Sequence, residues 1–194
     1  MPSLLDEEWG ELMRPGGGRQ KGSNFEREIA KTFAEWCGYK VSRTPLSGGW
    51  GGKAEHGTCG DLVVERVYYK KFPFCVECKK QEDWCLDDLL HNEKTKIKAW
   101  WQQCRADAKH AGKIPLLIMS RNFTPPVIMM RQRDYSPDNL WTPLSDSFTI
   151  YLKVGKREEE MLIMRLDDLL AGWPAPRLKH PKVAAPTFKH RRRA

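Results

Sequence analysis

The 194-residue sequence has no apolar run near the roughly 20 residues that a bilayer crossing needs, so a membrane-spanning protein is not expected. Residues 1–13 contain no Lys or Arg and four acids, Asp6, Glu7, Glu8 and Glu11. A secretory leader needs a basic start and an apolar stretch, so a cytoplasmic location is expected. The six cysteines (37, 59, 75, 78, 85 and 104) are then expected as reduced thiols. No internal repeat is visible. Segment 174–194 lacks acids altogether and carries four Pro and seven Lys or Arg, which reads as a disordered basic tail.

What is present is a chain long enough for one compact domain, at 40% hydrophobic residues, with a net charge of +8. A basic chain invites a polyanionic partner. Most of that excess sits in the tail: residues 1–173 hold 26 Lys and Arg against 25 Asp and Glu. Charge alone therefore does not carry a nucleic-acid reading, and individual residues must.

Along the chain, 1–22 reads as an acidic stub and a Gly-rich linker, with Gly16-Gly17-Gly18 in it. A helix is expected over 24–37. Ser23 and Glu26 have capping-box spacing, and Gly38 supplies the stop. Phe25, Ile29, Phe33, Trp36 and Cys37 share one stripe of that helix. Residues 39–44 read as a strand, and 45–60 as a Gly-rich loop. Runs 62–69 and 74–79 read as two strands of a hairpin, with Lys70-Lys71 in the turn. A long helix is expected over 93–111 and a buried strand over 114–119. Phe148, Ile150, Leu152 and Val154 alternate and 161–164 can pair back, with a short helix over 166–171. Val127–Met130 fits core or interface equally. The fold class is α/β, a mixed central sheet flanked by helices, with a C-terminal β-hairpin and helix extension and the basic tail. The division expected is 1–22 stub and linker, 23–130 core, 131–173 extension and 174–194 tail.

The chemistry concentrates in Gly60-Asp61 and Glu77-Cys78-Lys79. Residues two apart on a strand share a face, so Glu77 and Lys79 project together and Cys78 turns away. Asp61 on the partner strand can bring a second carboxylate. Two carboxylates and a lysine suit metal-assisted phosphodiester hydrolysis: the oxygens hold Mg²⁺, and the lysine helps with the attacking water. The competing reading is a hairpin with exposed charges. Glu26 lies inside the apolar stripe of the first helix, where an acid needs a partner. Completing the capping box alone is the alternative.

On the second helix, Arg105, Lys98, Lys109 and Gln102 form a polar stripe beside Ile97, Trp100, Trp101, Cys104 and Ala108. It suits phosphate contacts or a plain solvated face. Trp50 and Lys53, in a glycine-flanked loop, suit contacts to unpaired bases or a surface loop. Cys75 and Cys78 have CxxC spacing, but they face opposite sides of a strand, which argues against zinc.

Lys21-Gly22-Ser23-Asn24-Phe25-Glu26-Arg27-Glu28, Gly38-Tyr39-Lys40-Val41-Ser42-Arg43-Thr44, Ser47, Asp61 and Glu77-Cys78-Lys79, in this order, resemble the archaeal-type Holliday junction resolvases. These belong to the PD-(D/E)xK superfamily, with a restriction-endonuclease-like fold. The resemblance spans 21–122. It implies a Mg²⁺-dependent homodimer (Mn²⁺ as substitute) that cuts four-way DNA junctions. It implies Glu26, Asp61 and Glu77 as metal ligands and Lys79 as the catalytic lysine; the Cys78 main-chain carbonyl is expected to join the three acids in holding one or two Mg²⁺. Ser47 would lie near the scissile phosphate and Arg43 on the strand after the first helix. Gly60 stands where the superfamily often has Pro. Alternatives are a restriction, repair or single-strand nuclease of the same fold, or a DNA-binding protein without catalysis.

Overall fold

The computed structural model describes residues 17–45, 58–91, 95–135, 147–154, 157–173 and 175. Helix α1 (Gly17–Cys37) leads into the short strands β1 (Val41–Arg43), β2 (Thr58–Cys59) and β3 (Leu62–Val64) and a 3₁₀ turn (Arg66–Tyr68). Strand β4 (Phe74–Lys80), the short helix α2 (Asp88–His91), the long helix α3 (Lys96–Ala111) and strand β5 (Ile114–Ser120) follow. Strand β6 (Val127–Arg131) and a 3₁₀ turn (Gln132–Asp134) precede the pair β7 (Phe148–Val154) and β8 (Arg157–Arg165) and helix α4 (Leu166–Gly172).

The main sheet runs β4-β5-β6-β8-β7; β4 and β5 are parallel, and the other neighbours antiparallel. Strand β5 is buried on both faces, with Leu116, Leu117, Ile118 and Met119 all at 0% exposure, which is why it reads as an unbroken apolar run. Its alternating side chains serve two cores. Leu116 and Ile118 meet Phe25, Ile29 and Phe33 of α1 and Leu166 and Leu169 of α4. Leu117 and Met119 meet Ile97, Trp101 and Cys104 of α3. Residues 127–130 lie in the sheet interior, and β7, β8 and α4 complete the same sheet and cores. The expected α/β architecture, a mixed sheet flanked by helices and finished by a hairpin and helix, is the one found.

Four local expectations are corrected. Helix α1 begins at Gly17, so residues 17–22 are helix and not linker. A helical Gly costs about 1 kcal/mol, too little to stop a helix whose next turns are buried. Ser23 and Glu26 therefore sit inside the helix, where no capping box forms. The 62–79 hairpin is also absent. β3 stops at Val64 and pairs antiparallel with β1 and β2, while β4 takes the distant β5 as its parallel neighbour. Between β3 and β4 the chain turns through Arg66–Tyr68, and Lys113 Nζ donates to the carbonyls of Tyr69 (2.6 Å) and Phe72. Helix α3 starts three residues later than expected, because Thr95 caps it, its hydroxyl accepting from the Lys98 amide at 3.1 Å.

The fourth correction concerns the thiols. Cys59 and Cys75 form a disulfide, with Cα atoms 5.1 Å apart, while Cys37, Cys78, Cys85 and Cys104 are free. The bond joins β2 to β4. Cys75 packs with Cys59 and Ala108, while Cys78 packs in the α1-facing core, so the CxxC pair does face opposite ways.

Candidate active site

The site forms along the edge of β4 that β5 does not use. Gly60 comes closest to it. Its φ is +68°, and a Cβ there would lie 2.1 Å from the Val76 carbonyl oxygen, so only glycine fits. This contact delivers Asp61 to β4. The Asp61 amide donates to the Val76 carbonyl at 2.8 Å, and the Thr44 amide donates to the Asp61 carbonyl at 2.8 Å. The Thr44 hydroxyl donates to the Gly60 carbonyl at 3.0 Å. The Cys78 amide then donates to Asp61 Oδ2 at 2.7 Å. In an extended strand a residue's N–H and C=O point to the same side, so the Cys78 carbonyl lies on this edge too.

Glu77 and Lys79 share the other face of β4, as the period of two requires, with Lys79 Nζ 2.5 Å from Glu77 Oε1. Glu77 is 3% exposed and Asp61 7%. Glu26, on α1, is ion-paired with Arg43 of β1, and their side chains are 13% and 26% exposed. The inward acid of the first helix thus has its partner on the next strand.

Burial first, then the charge of Glu77, pushes the Asp61 carboxyl up to about 7, against the stabilising Cys78 amide. Burial likewise raises Glu77, opposed by Lys79 and reinforced by Asp107 of α3. For Lys79, burial favours the neutral amine, but Glu77 and Asp61 outweigh it and hold the ammonium above its usual range. Two buried carboxylates with one ammonium form an anion-rich cluster.

That donor set fits a hard divalent cation. Mg²⁺ takes oxygen ligands, commonly one or two carboxylates, and completes its shell with waters and phosphate oxygens. Among the described residues no three His, Cys, Asp or Glu side chains gather into a metal cage, zinc-type clusters included. The carboxylates that fit are Asp61 and Glu77, with Glu26 turned to Arg43.

The remaining expected site residues divide. Ser47, Trp50 and Lys53 lie outside the described residues. Ile97, Trp101, Cys104 and Ala108 form the buried face of α3, while Gln102 and Lys109 are exposed and Lys98 is half-buried. Arg105 is paired with Glu159 of β8 at 3.0 Å, so its charge is answered within the fold. Sequence reasoning did not single out Asp107 as a neighbour of Glu77 or Gly60 as a steric requirement. Asp107 carried a usable signal, since on the helical wheel it falls beside Trp100 at the border of the apolar stripe and away from Arg105.

The model of a family described as "Phage putative PDDEXK endonuclease" matches residues 17–179. The chain belongs to this family. As a member of this PDDEXK family it is an endonuclease, from a superfamily generally dependent on a divalent metal. Among relatives, Protein D14 of Escherichia phage T5 is 25% identical over 146 residues, covering 75% of this chain and 86% of that protein. Among solved structures, Hjc of Archaeoglobus fulgidus, a Holliday junction resolvase, matches with a TM-score of 0.34 at 10% identity, covering 76% of this chain and 91% of that one. No helix among the described residues is long and apolar enough to cross a membrane.

Proposed function

We propose that this PDDEXK endonuclease cuts branched DNA, four-way junctions foremost, as a homodimer using Mg²⁺, with Mn²⁺ as a substitute. The observation that carries the reading is the convergence on one strand edge of two buried carboxylates, Asp61 and Glu77, with Lys79 beside them. The order of the Lys21–Glu28, Val41–Thr44 and Glu77–Lys79 segments, similar to the junction resolvases, favours branched substrates.

Asp61, Glu77 and the Cys78 carbonyl would hold the metal, with Glu26 as a further acid. Bound there, a divalent cation supplies an acidified water and charge neutralisation at the phosphate. Lys79 brings three N–H donors and a positive charge to orient the water and offset charge on the phosphoryl oxygens. The Cys78 amide holds Asp61 in one orientation. Arg43 holds Glu26 and lends a cation to the DNA backbone, and Ser47 would contact the scissile phosphate. Lys98, Gln102 and Lys109 would contact flanking phosphates, and Trp50 and Lys53 unpaired bases.

A cleavage panel tests this. A four-way junction, a flap, a linear duplex and a single strand are compared in Mg²⁺, Mn²⁺ and EDTA, with Asp61→Ala and Lys79→Met alongside. Metal-dependent cutting favouring the junction, lost in both variants, is expected. Equal cutting of the linear duplex would turn the reading toward a restriction or repair nuclease. Retained cutting by Asp61→Ala would remove the site assignment.

A further inference from the structure

Phe123 stands in the turn between β5 and β6, fully exposed at 105% relative exposure. Its φ is +58°, and among the described residues no other non-glycine has a positive φ. A bulky side chain seldom adopts this conformation, whereas Asn adopts it far more readily, and Asn122 is the residue immediately before it. The sequence thus places the aromatic where the backbone least suits it and water least welcomes it. Such an outlier is a pointer to function.

The turn that presents the ring is tightly built. The buried Ser120 hydroxyl is within bonding distance of the Arg121 (2.9 Å) and Thr124 (3.1 Å) carbonyls, and the Arg121 amide donates to Thr124 Oγ1 at 3.1 Å. It is also tied to the chain leaving β4. The Gln81 amide donates to the Ser120 carbonyl at 3.2 Å, and the Asn122 amide donates to both Glu82 carboxylate oxygens at 3.0 and 3.1 Å. Strands β4 and β5 are parallel, and Lys79 lies opposite Met119, so the turn caps the same end of the sheet as the catalytic lysine. Phe123 sits in the tight turn that leaves β5 after Ser120, the residue opposite Lys80, with the Thr124 amide donating to the Arg121 carbonyl, so it stands just past the end of the strand pair that carries Lys79, at most about 13 Å or four nucleotides of a DNA strand further on. Beside the Glu82 carboxylate the turn has two cations near it: Lys80 lies over the Phe25 ring and Arg121 over Trp84.

We infer that Phe123 is a DNA-stacking residue that packs on a base exposed where the duplex opens, a few nucleotides from the scissile phosphate. The inference rests on the DNA reading of the adjoining site and adds to it the source of discrimination. A paired, stacked duplex offers no free base face to the ring. A branch point, a flap or a single strand does. The flanking cations hold the backbone, while the ring detects the open base. Stacking of this kind is worth roughly 5- to 150-fold in affinity.

The test uses the full chain and branched DNA carrying 2-aminopurine at successive unpaired positions near the branch, in EDTA so that nothing is cut. The wild type should quench one or two adjacent positions. Phe123→Ala should lose that quenching and bind branched DNA 5- to 150-fold more weakly, with linear-duplex affinity unchanged. Phe123→Trp should restore both. Identical quenching by wild type and Phe123→Ala, or none by either, overturns the inference. Cleavage is read separately: a wild type that cuts no junction would refute the junction reading, while the quenching result still decides the role of Phe123.

Discussion

The Cys78 amide points at Asp61 Oδ2 from 2.7 Å, so the strand that carries Glu77 also orients the second acid of the pair. Asp61→Asn keeps an acceptor oxygen for that amide while removing a buried charge that faces Glu77. Cleavage should fall at least about a thousandfold, since a ligand for the metal is lost. Stability of the metal-free protein should rise by about 1–3 kcal/mol, seen as a higher melting temperature in EDTA. Asp61→Ala, which strands the Cys78 amide, should show a smaller gain or none. A lower melting temperature for Asp61→Asn would mean that the buried acid is better paired than described.

Gly60→Ala should be among the most damaging single changes. The added methyl would meet the Val76 carbonyl oxygen at 2.1 Å, in a backbone conformation that alanine rarely adopts. A loss of about 2 kcal/mol or more is expected from urea unfolding, together with weaker cutting as Asp61 withdraws from β4. Gly60→Pro should be worse still, although proline is common at this place in the superfamily, because its ring fixes φ near −65° and the chain here needs +68°.

Alkylation of the unfolded, unreduced protein should label four cysteines, and six after reduction, with Cys59 and Cys75 accounting for the difference. Mass spectrometry reads both numbers. Losing a bond across a 16-residue separation should cost about 3 kcal/mol, visible as a lower urea midpoint in reductant.

Lys113→Met removes a cation that burial pushes down to about 8. Destabilisation is nevertheless expected, because the ammonium donates to the Tyr69 and Phe72 carbonyls and lies 4.0 Å from the centre of the Tyr69 ring. Those favourable contacts offset the burial. Stranding two carbonyls should cost about 1–3 kcal/mol in chemical denaturation.

Removing residues 174–194 takes away seven Lys and Arg and no acid. DNA binding should weaken at moderate salt, and the dependence of log affinity on log salt should flatten by up to about six units. Metal-dependent cutting should persist; its complete loss would give the tail a role beyond charge.

Local pattern revealed what local forces decide. The apolar stripe of α1, the continuous run of β5 and the alternation of β7 were all legible, because each reports which face is buried. Gly38 and Gly112 ended their helices, at φ values of +75° and +64°. Pairing was less legible. Strand β3 has the composition to pair with β4, but its partners lie on β1 and β2, and β4 finds β5 only after the chain passes through α3. In the site, Glu77 and Lys79 followed from the period of two, and the buried position of Glu26 from the helical wheel. The expected meeting of Asp61 and Glu77 is found through a different route, a parallel bridge between Gly60 and Val76. The Cys59–Cys75 bond and the Arg105–Glu159 pair depend on chain crossings that no window of sequence contains.

The peptide of Asp61 is held by main-chain atoms of Val76 and Thr44, with a hydroxyl on Thr44 as the added hold. Main-chain groups are the same in every residue except proline, so this anchorage is nearly indifferent to what side chains surround it. The neighbouring sequence is free to drift, and a saturation scan should show a steep fall at Gly60 and Asp61 set in a permissive stretch. An acid anchored this way depends on a place in the backbone more than on the letters around it.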